Sequence, residues 1–316
     1  APEAIPEPYT TGEHNMHFGT TIPNNFGVDD MSDLVDFGVA AELMGYASVW
    51  VSDHLFHAAY VASRLGDRPY HEPMTVLTAI AARTESVNLG TSVLVLPWHH
   101  PVRLAKVVAS LDNFSNGRFI MGVGVGVTKD EYAALGIPFA QRGRIANEYL
   151  AAMQSLWQDD IPSFSGEHLS FDGLRFVPKP KQSPYPPIWV GGNSRAAHRR
   201  LARFGDGWHP LGLSPEGLAE ARLALDAEMV AADRRGALPV AVRLLLSFVD
   251  KASKRPVSQQ KALKGDPTDM AALVEAYRDA GVTHVILDGA SPDLAQARDD
   301  LERFQAEVIP KLRSTN

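Results

Sequence analysis

Along the chain, short runs of β-branched and apolar residues alternate with longer stretches in which apolar residues recur every three or four positions. The first pattern reads as buried strand and the second as amphipathic helix. Strands are expected at 16–22, 48–52, 87–95, 119–123, 187–191, around Trp208, at 240–248 and at 284–288. Helices are expected at 31–44, 75–84, 101–113, 141–157, 194–204, 215–235, 268–280 and 294–312. Gly45, Gly205 and Gly281 follow helical stretches directly and read as C′ glycines that turn the chain into the next strand. Strand–helix alternation of this kind argues for a parallel sheet with helices outside it. The count approaches eight units, so the expected fold class is α/β, a (β/α)8 TIM barrel.

Three stretches exceed what a minimal barrel needs: 54–74, 159–186 and 250–267. Loops this long are usually lids, binding loops or mobile segments. The last is polar and basic, with Lys251, Lys254, Arg255, Lys261 and Lys264, and reads either as a lid or as a solvated loop. A chain of 316 residues suits one elaborated barrel, about 250 residues being usual for the fold. The expected organisation is an N-terminal extension over 1–15 and one barrel domain over 16–316, with insertions near those three stretches. No repeat beyond the strand–helix alternation is visible.

Composition narrows the function. Hydrophobic residues make up 45% and charged residues 21%, an ordinary globular balance. A formal charge of −7 argues against a nucleic-acid partner, which calls for concentrated Lys and Arg. With no cysteine there is no disulfide, thiolate metal site or cysteine nucleophile, so redox chemistry has to come from a cofactor. Segment 1–15 lacks the charged and hydrophobic parts of a signal peptide, and no stretch reaches the roughly 18 uncharged apolar residues of a membrane span. The expectation is a cytoplasmic protein with no membrane association.

A barrel of this kind places its chemistry at the C-terminal ends of the strands. After strand 187–191 comes Gly191-Gly192-Asn193-Ser194 and then a helical run. Two glycines, a capping serine and the unpaired first-turn amides make an anion cradle in outline, although a steric turn would carry the same glycines. Gly90-Thr91-Ser92 are small groups that either let a planar ring approach the backbone or serve packing. Gly124-Val125-Gly126 follow the fourth strand and give a flat approach at the mouth, without the spacing of a dinucleotide fingerprint. The second strand ends in Asp53-His54, an acid–base candidate with a carboxylate that can orient it, or else a structural turn. The other histidines, His57, His71, His99, His100 and His209 among them, lack regular metal-ligand spacing. The first strand, His17-Phe18-Gly19-Thr20, lacks the ligand pair of a metal-dependent hydrolase. No metal site is expected.

In this order, Val51-Ser52-Asp53-His54, Leu89-Gly90-Thr91-Ser92-Val93, the run from Gly117 to Gly124, the run from Pro187 to Ser194, Arg203-Phe204-Gly205-Asp206-Gly207-Trp208 and Asp279-Ala280-Gly281-Val282 resemble the bacterial luciferase-like superfamily of flavin- and deazaflavin-dependent oxidoreductases. The chain looks most like the members that use coenzyme F420, an 8-hydroxy-5-deazaflavin. The resemblance implies a bulge in the third strand that contains a non-proline cis peptide, at Ser92-Val93, pressing with Thr91 on one face of the ring. It further implies that Gly191, Gly192, Asn193 and Ser194 hold the cofactor phosphate, and that Gly124, Gly126 and Val127 flank the ribityl tail. Relatives often carry an aromatic residue after the glycine run, where this chain has Val127-Thr128-Lys129. His54 is carried over as proton donor and Asp53 as its support or as a cofactor contact. The implied reaction is hydride transfer between the deazaflavin C5 and a small organic substrate, by a homodimer. The alternatives are an FMN-dependent monooxygenase using oxygen and a partner flavin reductase, and a flavin-binding protein without turnover.

Overall fold

A computed structural model of the chain describes residues 16–248, 261–289 and 293–312. The extension expected over 1–15 and residues 250–260 of the basic stretch lie outside them. Eight parallel strands form the centre: β1 His17–Thr21, β2 Ser48–Val51, β3 Asn88–Thr91, β4 Phe119–Gly124, β5 Ile188–Gly191, β6 Gly207–His209, β7 Ala241–Phe248 and β8 His284–Asp288. Each pairs with its neighbour in sequence, and β8 pairs with β1 through Phe18 opposite Val285. The last gap, β6 to β7, is bridged at Trp208 and Val240, with Trp208 N–H donating to Pro239 O at 2.8 Å. The sheet is a closed eight-stranded barrel.

An outer barrel helix follows each strand, besides the short helices Ala59–Leu65 and Lys129–Ala134: α1 Met31–Leu43, α2 Pro73–Ala81, α3 Pro101–Phe114, α4 Arg142–Gln158, α5 Arg195–Phe204, α6 Pro215–Ala231, α7 Pro267–Asp279 and α8 Leu294–Arg303. Capping fixes several starts. Asp30, Glu72, Ser194, Ser214 and Asp266 each accept first-turn amides with their side chains, and four of these eight helices begin with proline in the first turn. The helix expected at 294–312 is α only to Arg303 and then widens and tightens through 304–311, where Pro310 cannot continue the α ladder.

The barrel interior is filled by Trp50, Ile120, Trp189, Ala241 and Ile286, with the two indole rings 5.2 Å apart. Gly90 is small for their sake: a Cβ there would lie 2.2 Å from Trp50 Cε3. Its place is under an indole rather than under a ligand. Between the strands and the outer helices runs the main core, in which Leu34, Leu77, Val108, Leu150, Leu201, Leu218 and Leu301 face inward.

Three expectations are corrected here. Strand 87–95 is broken: β3 ends at Thr91, and the chain resumes pairing with β4 only at Leu94–Val95. Gly90 pairs with Ile120 and Leu94 with Val123, so the third strand carries one residue more than its partner, a bulge. Second, Gly205 is not left-handed but extended, with φ −97°. It is glycine because a Cβ would lie 2.5 Å from Leu201 Cδ1, whereas Gly45 and Gly281 do take positive φ, +82° and +88°. Third, part of the stretch read as a loop over 250–267 is a strand, Lys261–Gly265, lying parallel to the second half of β7. Leu263 is buried there while Lys261 and Lys264 are exposed, a two-residue alternation too short to stand out among lysines.

Candidate active site

β2 ends by presenting Asp53 and His54 at the barrel mouth, and the two side chains turn to different partners. Asp53 is 4% exposed; its Oδ2 accepts from Val95 N–H at 2.9 Å and from His99 Nε2 at 2.8 Å. Asp53 therefore ties β2 to the far side of the third-strand bulge. Its Oδ1 is buried and has no hydrogen-bond partner among the described residues. Burial works against a charge on His99, but the hydrogen bond and charge of Asp53 outweigh it, and the His99 pKa is raised.

His54 pairs instead with Glu131, from the short helix Lys129–Ala134 that follows β4: Nδ1 and Oε2 are 2.7 Å apart. Glu131 Oε1 accepts from the amides of Leu55 and Phe56 at 2.9 and 3.2 Å. Glu131 is fully buried, which by itself would raise its pKa; the His54 hydrogen bond, the His54 charge and the two amides reverse that and lower it. It is thus a carboxylate, and His54 Nδ1 carries the proton it accepts. Tyr70 and Trp98 pack on the imidazole with ring centroids 5.6 and 5.7 Å away. The expectation that Asp53 supports His54 is corrected: the supporting acid is 77 residues downstream. A carboxylate five residues after the last glycine of the run is the available signal for it.

The bulge itself holds the Ser92–Val93 bond, which is cis. Val93 seats between β4 and β5: a Cβ on Gly124 would lie 2.7 Å from Val93 Cγ2, and one on Gly191 3.3 Å from Cγ1. Val93, Gly124 and Gly191, from three different strands, are thereby brought together. Thr91 is not offered to a ligand as expected; it is fully buried and its hydroxyl donates to Gly122 O at 2.7 Å. Ser92 Oγ lies 2.9 Å from His209 Nε2, while His209 Nδ1 lies 2.8 Å from Ala241 O. Because a carbonyl can only accept, Nδ1 is the protonated nitrogen and Nε2 receives the serine hydroxyl. Burial, aided by the charge of Arg243, lowers the His209 pKa to about 4 against the opposing pull of Ala241 O.

Arg243 completes a polar layer across the mouth. Its Nε and Nη2 hold Asp288 Oδ2 at 3.0 and 2.8 Å, and its Nη1 donates to Ser52 Oγ at 3.0 Å and Ser92 O at 3.3 Å. Thr21 Oγ1 donates to Asp288 Oδ1 at 3.1 Å. None of Thr21, Ser52, Arg243 and Asp288 was singled out from the sequence. The one charged residue in the apolar run 240–248 was the visible clue to a buried partner.

On the β5 side, Gly192 takes φ +107°, a conformation suited to glycine. Its N–H donates to His209 O at 3.1 Å and its carbonyl accepts from Trp208 Nε1 at 3.0 Å. Asn193 is committed: its side chain both donates to Leu211 O and accepts from Leu211 N–H, at 2.7 and 3.0 Å. Ser194 Oγ accepts from Ala197 N–H at 3.2 Å. The N–H groups of Asn193, Ser194, Arg195 and Ala196 have no acceptor among the described residues. Four free amides at a helix start, beside a glycine pair, form an anion cradle. After the neighbouring strand β4, Gly126 takes φ +59° and Val127 is 81% exposed, so the glycine run ends in an open apolar position.

Residues 16–255 match the family described as luciferase-like monooxygenase. The chain belongs to this family. Among its relatives, F420-dependent glucose-6-phosphate dehydrogenase of Kineococcus radiotolerans is 28% identical over 327 residues, covering 89% of this chain and 93% of that protein. FMNH2-dependent dimethylsulfone monooxygenase of Pseudomonas putida is 32% identical over 215 residues, 67% of this chain and 58% of that one. A solved F420-dependent secondary alcohol dehydrogenase, in complex with an F420–acetone adduct, shares the fold with a TM-score of 0.79 at 19% identity, over 95% of this chain and 100% of that chain. The chain is thus an oxidoreductase of luciferase-like type. The features gathered at the mouth, four amides without acceptors among the described residues, the glycine-lined contact around Val93 and an imidazole bonded to a buried carboxylate, are chemically compatible with a flavin or deazaflavin. Among the described residues no helix is long and apolar enough to cross a membrane.

Proposed function

We propose that this chain is an F420-dependent oxidoreductase that moves a hydride between the deazaflavin and a small organic substrate. The observation that carries the reading is the convergence at one barrel mouth of four free amides at 193–196, the Ser92–Val93 bulge and the His54–Glu131 pair. The amides and Ser194 would bind the phosphate, and Gly124, Gly126 and Val127 would border the tail. Ser92 and Val93 would support one face of the ring, held in place by Asp53 through Val95 and by Arg243 and His209 through Ser92.

When bound, the deazaflavin supplies or accepts the hydride at C5. The chain's own part is acid–base work and positioning. Glu131 keeps the His54 proton on Nδ1, so Nε2 is the nitrogen with a lone pair to take a substrate proton, and the imidazolium so formed is stabilised by the carboxylate. The reverse transfer uses the same atom. Turning the ring away would break a bond to a fully buried acceptor, so orientation is maintained between turnovers.

A second reading, FMN-dependent monooxygenation with a partner flavin reductase, is favoured by the higher identity to the dimethylsulfone enzyme over the shorter span. A cytoplasmic homodimer is part of both readings. Separate incubation with F420 and with FMN, followed by absorption spectroscopy after removal of free ligand, decides between them. A retained, shifted deazaflavin band with no retained FMN is the expected result; retention of FMN alone would establish the monooxygenase reading, and retention of neither would remove both.

A further inference from the structure

The arginines of this chain mostly have visible reasons for their places. Arg243 pairs with Asp288, Arg195 and Arg199 with Glu228, and Arg118 fills the C-terminal end of α2 by donating to Ala81 O, Thr84 O and Val87 O. Arg200 is different. It is 5% exposed, its Nε donates to Asn147 Oδ1 at 2.7 Å and its Nη2 to Gly143 O at 3.0 Å, and no carboxylate among the described residues forms an ion pair with it. A guanidinium this deeply buried is ordinarily matched by an anion.

Its surroundings make the imbalance larger. Arg200 lies on α5, which begins at Ser194, and side chains lean toward the N-terminus of their helix, here toward the free amides. Its two acceptors lie in the first turns of α4, so the guanidinium sits at the positive end of that helix's dipole. Arg142, also at the start of α4, adds a second positive charge; its guanidinium rests on the Phe139 ring at 3.9 Å and its Nε is buried without a partner among the described residues. Tyr132 flanks the pair and donates its hydroxyl to Val125 O, within the glycine run at the mouth. Burial first, and then Arg142, lower the Arg200 pKa to about 10 against the opposing influence of Tyr132, yet at neutral pH it stays a cation.

We propose that Arg200, with Arg142 beside it, is the counter-charge to the phosphate group of the ligand, and makes the site select phosphorylated over unphosphorylated ring ligands. The inference rests on the cofactor reading above for the ring, but not for the anion. Arg200 acts from behind the amide cradle as a positioning residue, since its hydrogen bonds go to protein groups. A phosphomonoester, as in FMN, and a phosphodiester, as in F420, present the same chemistry to it.

The test compares wild type, Arg200→Met and Arg200→Lys for binding of FMN against riboflavin, and of F420 against its phosphate-free deazariboflavin chromophore. The expected result is a loss of tenfold or more in affinity for the phosphorylated member in Arg200→Met, a change within twofold for the unphosphorylated member, and partial recovery in Arg200→Lys. Equal losses for both members, or none for either, would overturn the proposal. Thermal melting with inorganic phosphate separates this from the cofactor reading. If wild type binds none of the ring ligands but gains stability from phosphate, and Arg200→Met does not, the anion site stands and the cofactor reading falls. If phosphate stabilises both alike, Arg200 has no such role. Should Arg200→Met fail to fold, Arg142→Met removes the neighbouring charge from a half-buried position and is expected to show the same selective loss at smaller size.

Discussion

At the scale of single residues, the candidate chemistry depends on which carboxylate holds which histidine. Asp53-His54 is legible in the sequence because both end a strand on the catalytic side. Their pairing is not, because adjacent residues on an extended chain point to opposite sides and their partners are set by the fold: His99 for Asp53 and Glu131 for His54. This gives a sharp expectation for Glu131→Gln. The amide oxygen can still accept from Leu55 and Phe56, but the amide nitrogen can only donate, which forces the His54 proton onto Nε2. Turnover should fall by about a hundredfold or more, the scale of lost acid–base catalysis, while cofactor affinity is unchanged. Unaltered kcat, or a parallel loss of cofactor binding, would show that Glu131 merely holds the loop. Thr91 shows the opposite case: its place in a motif suggests a ligand contact, whereas its hydroxyl satisfies the carbonyl of a neighbouring strand.

At the scale of elements, all eight strands and eight helices were visible as apolar runs and periodicities, since burial on the barrel's two layers dictates both. What escaped were interruptions. The bulge at 92–93 leaves no periodic trace, because both sides of the break are apolar, and only the resemblance located it. The edge strand Lys261–Gly265 escaped because three of its five residues face solvent. Glycines inside strands are where the element and its packing meet, and Gly90 gives the clearest test. Ala at this position would place a methyl 2.2 Å from the fully buried Trp50 ring, which is itself wedged against Trp189. Gly90→Ala should cost about 3 kcal/mol in a urea unfolding titration, at the upper end of what overpacking a core does. A loss below about 0.5 kcal/mol, within the range of neutral surface changes, would mean that the indole pair can move aside.

For the whole molecule, buried histidines make stability depend on pH. The His209 pKa is lowered to about 4 by burial first, with Arg243 assisting, and that of His284 to about 3 by burial and by His17, which stacks on it at 4.8 Å. Both are bases whose folded pKa lies below the ordinary value of 6.5, so the unfolded chain takes up these protons first as pH falls. Their stabilising contribution is present above pH 6.5 and is lost progressively from there toward pH 4, with a limiting slope of about 2.7 kcal/mol per pH unit for two protons. His99 has the opposite sign: with its pKa raised, its contribution is present below pH 6.5 and is lost as pH rises through the folded value. Urea titrations between pH 7 and 5 should show this decline, and His209→Asn should make its slope shallower; a flat profile would contradict the account of the barrel interior. The central claim concerns the mouth, where the turn at 191–194 and the bulge at 92–93 are held to be the two ends of one cofactor site. Hydrogen exchange of the amides, measured with and without F420 at saturation, tests it most directly. Slowed exchange at both 193–196 and 92–95 on binding is the predicted result, and binding that protects neither segment, or only one, would contradict it.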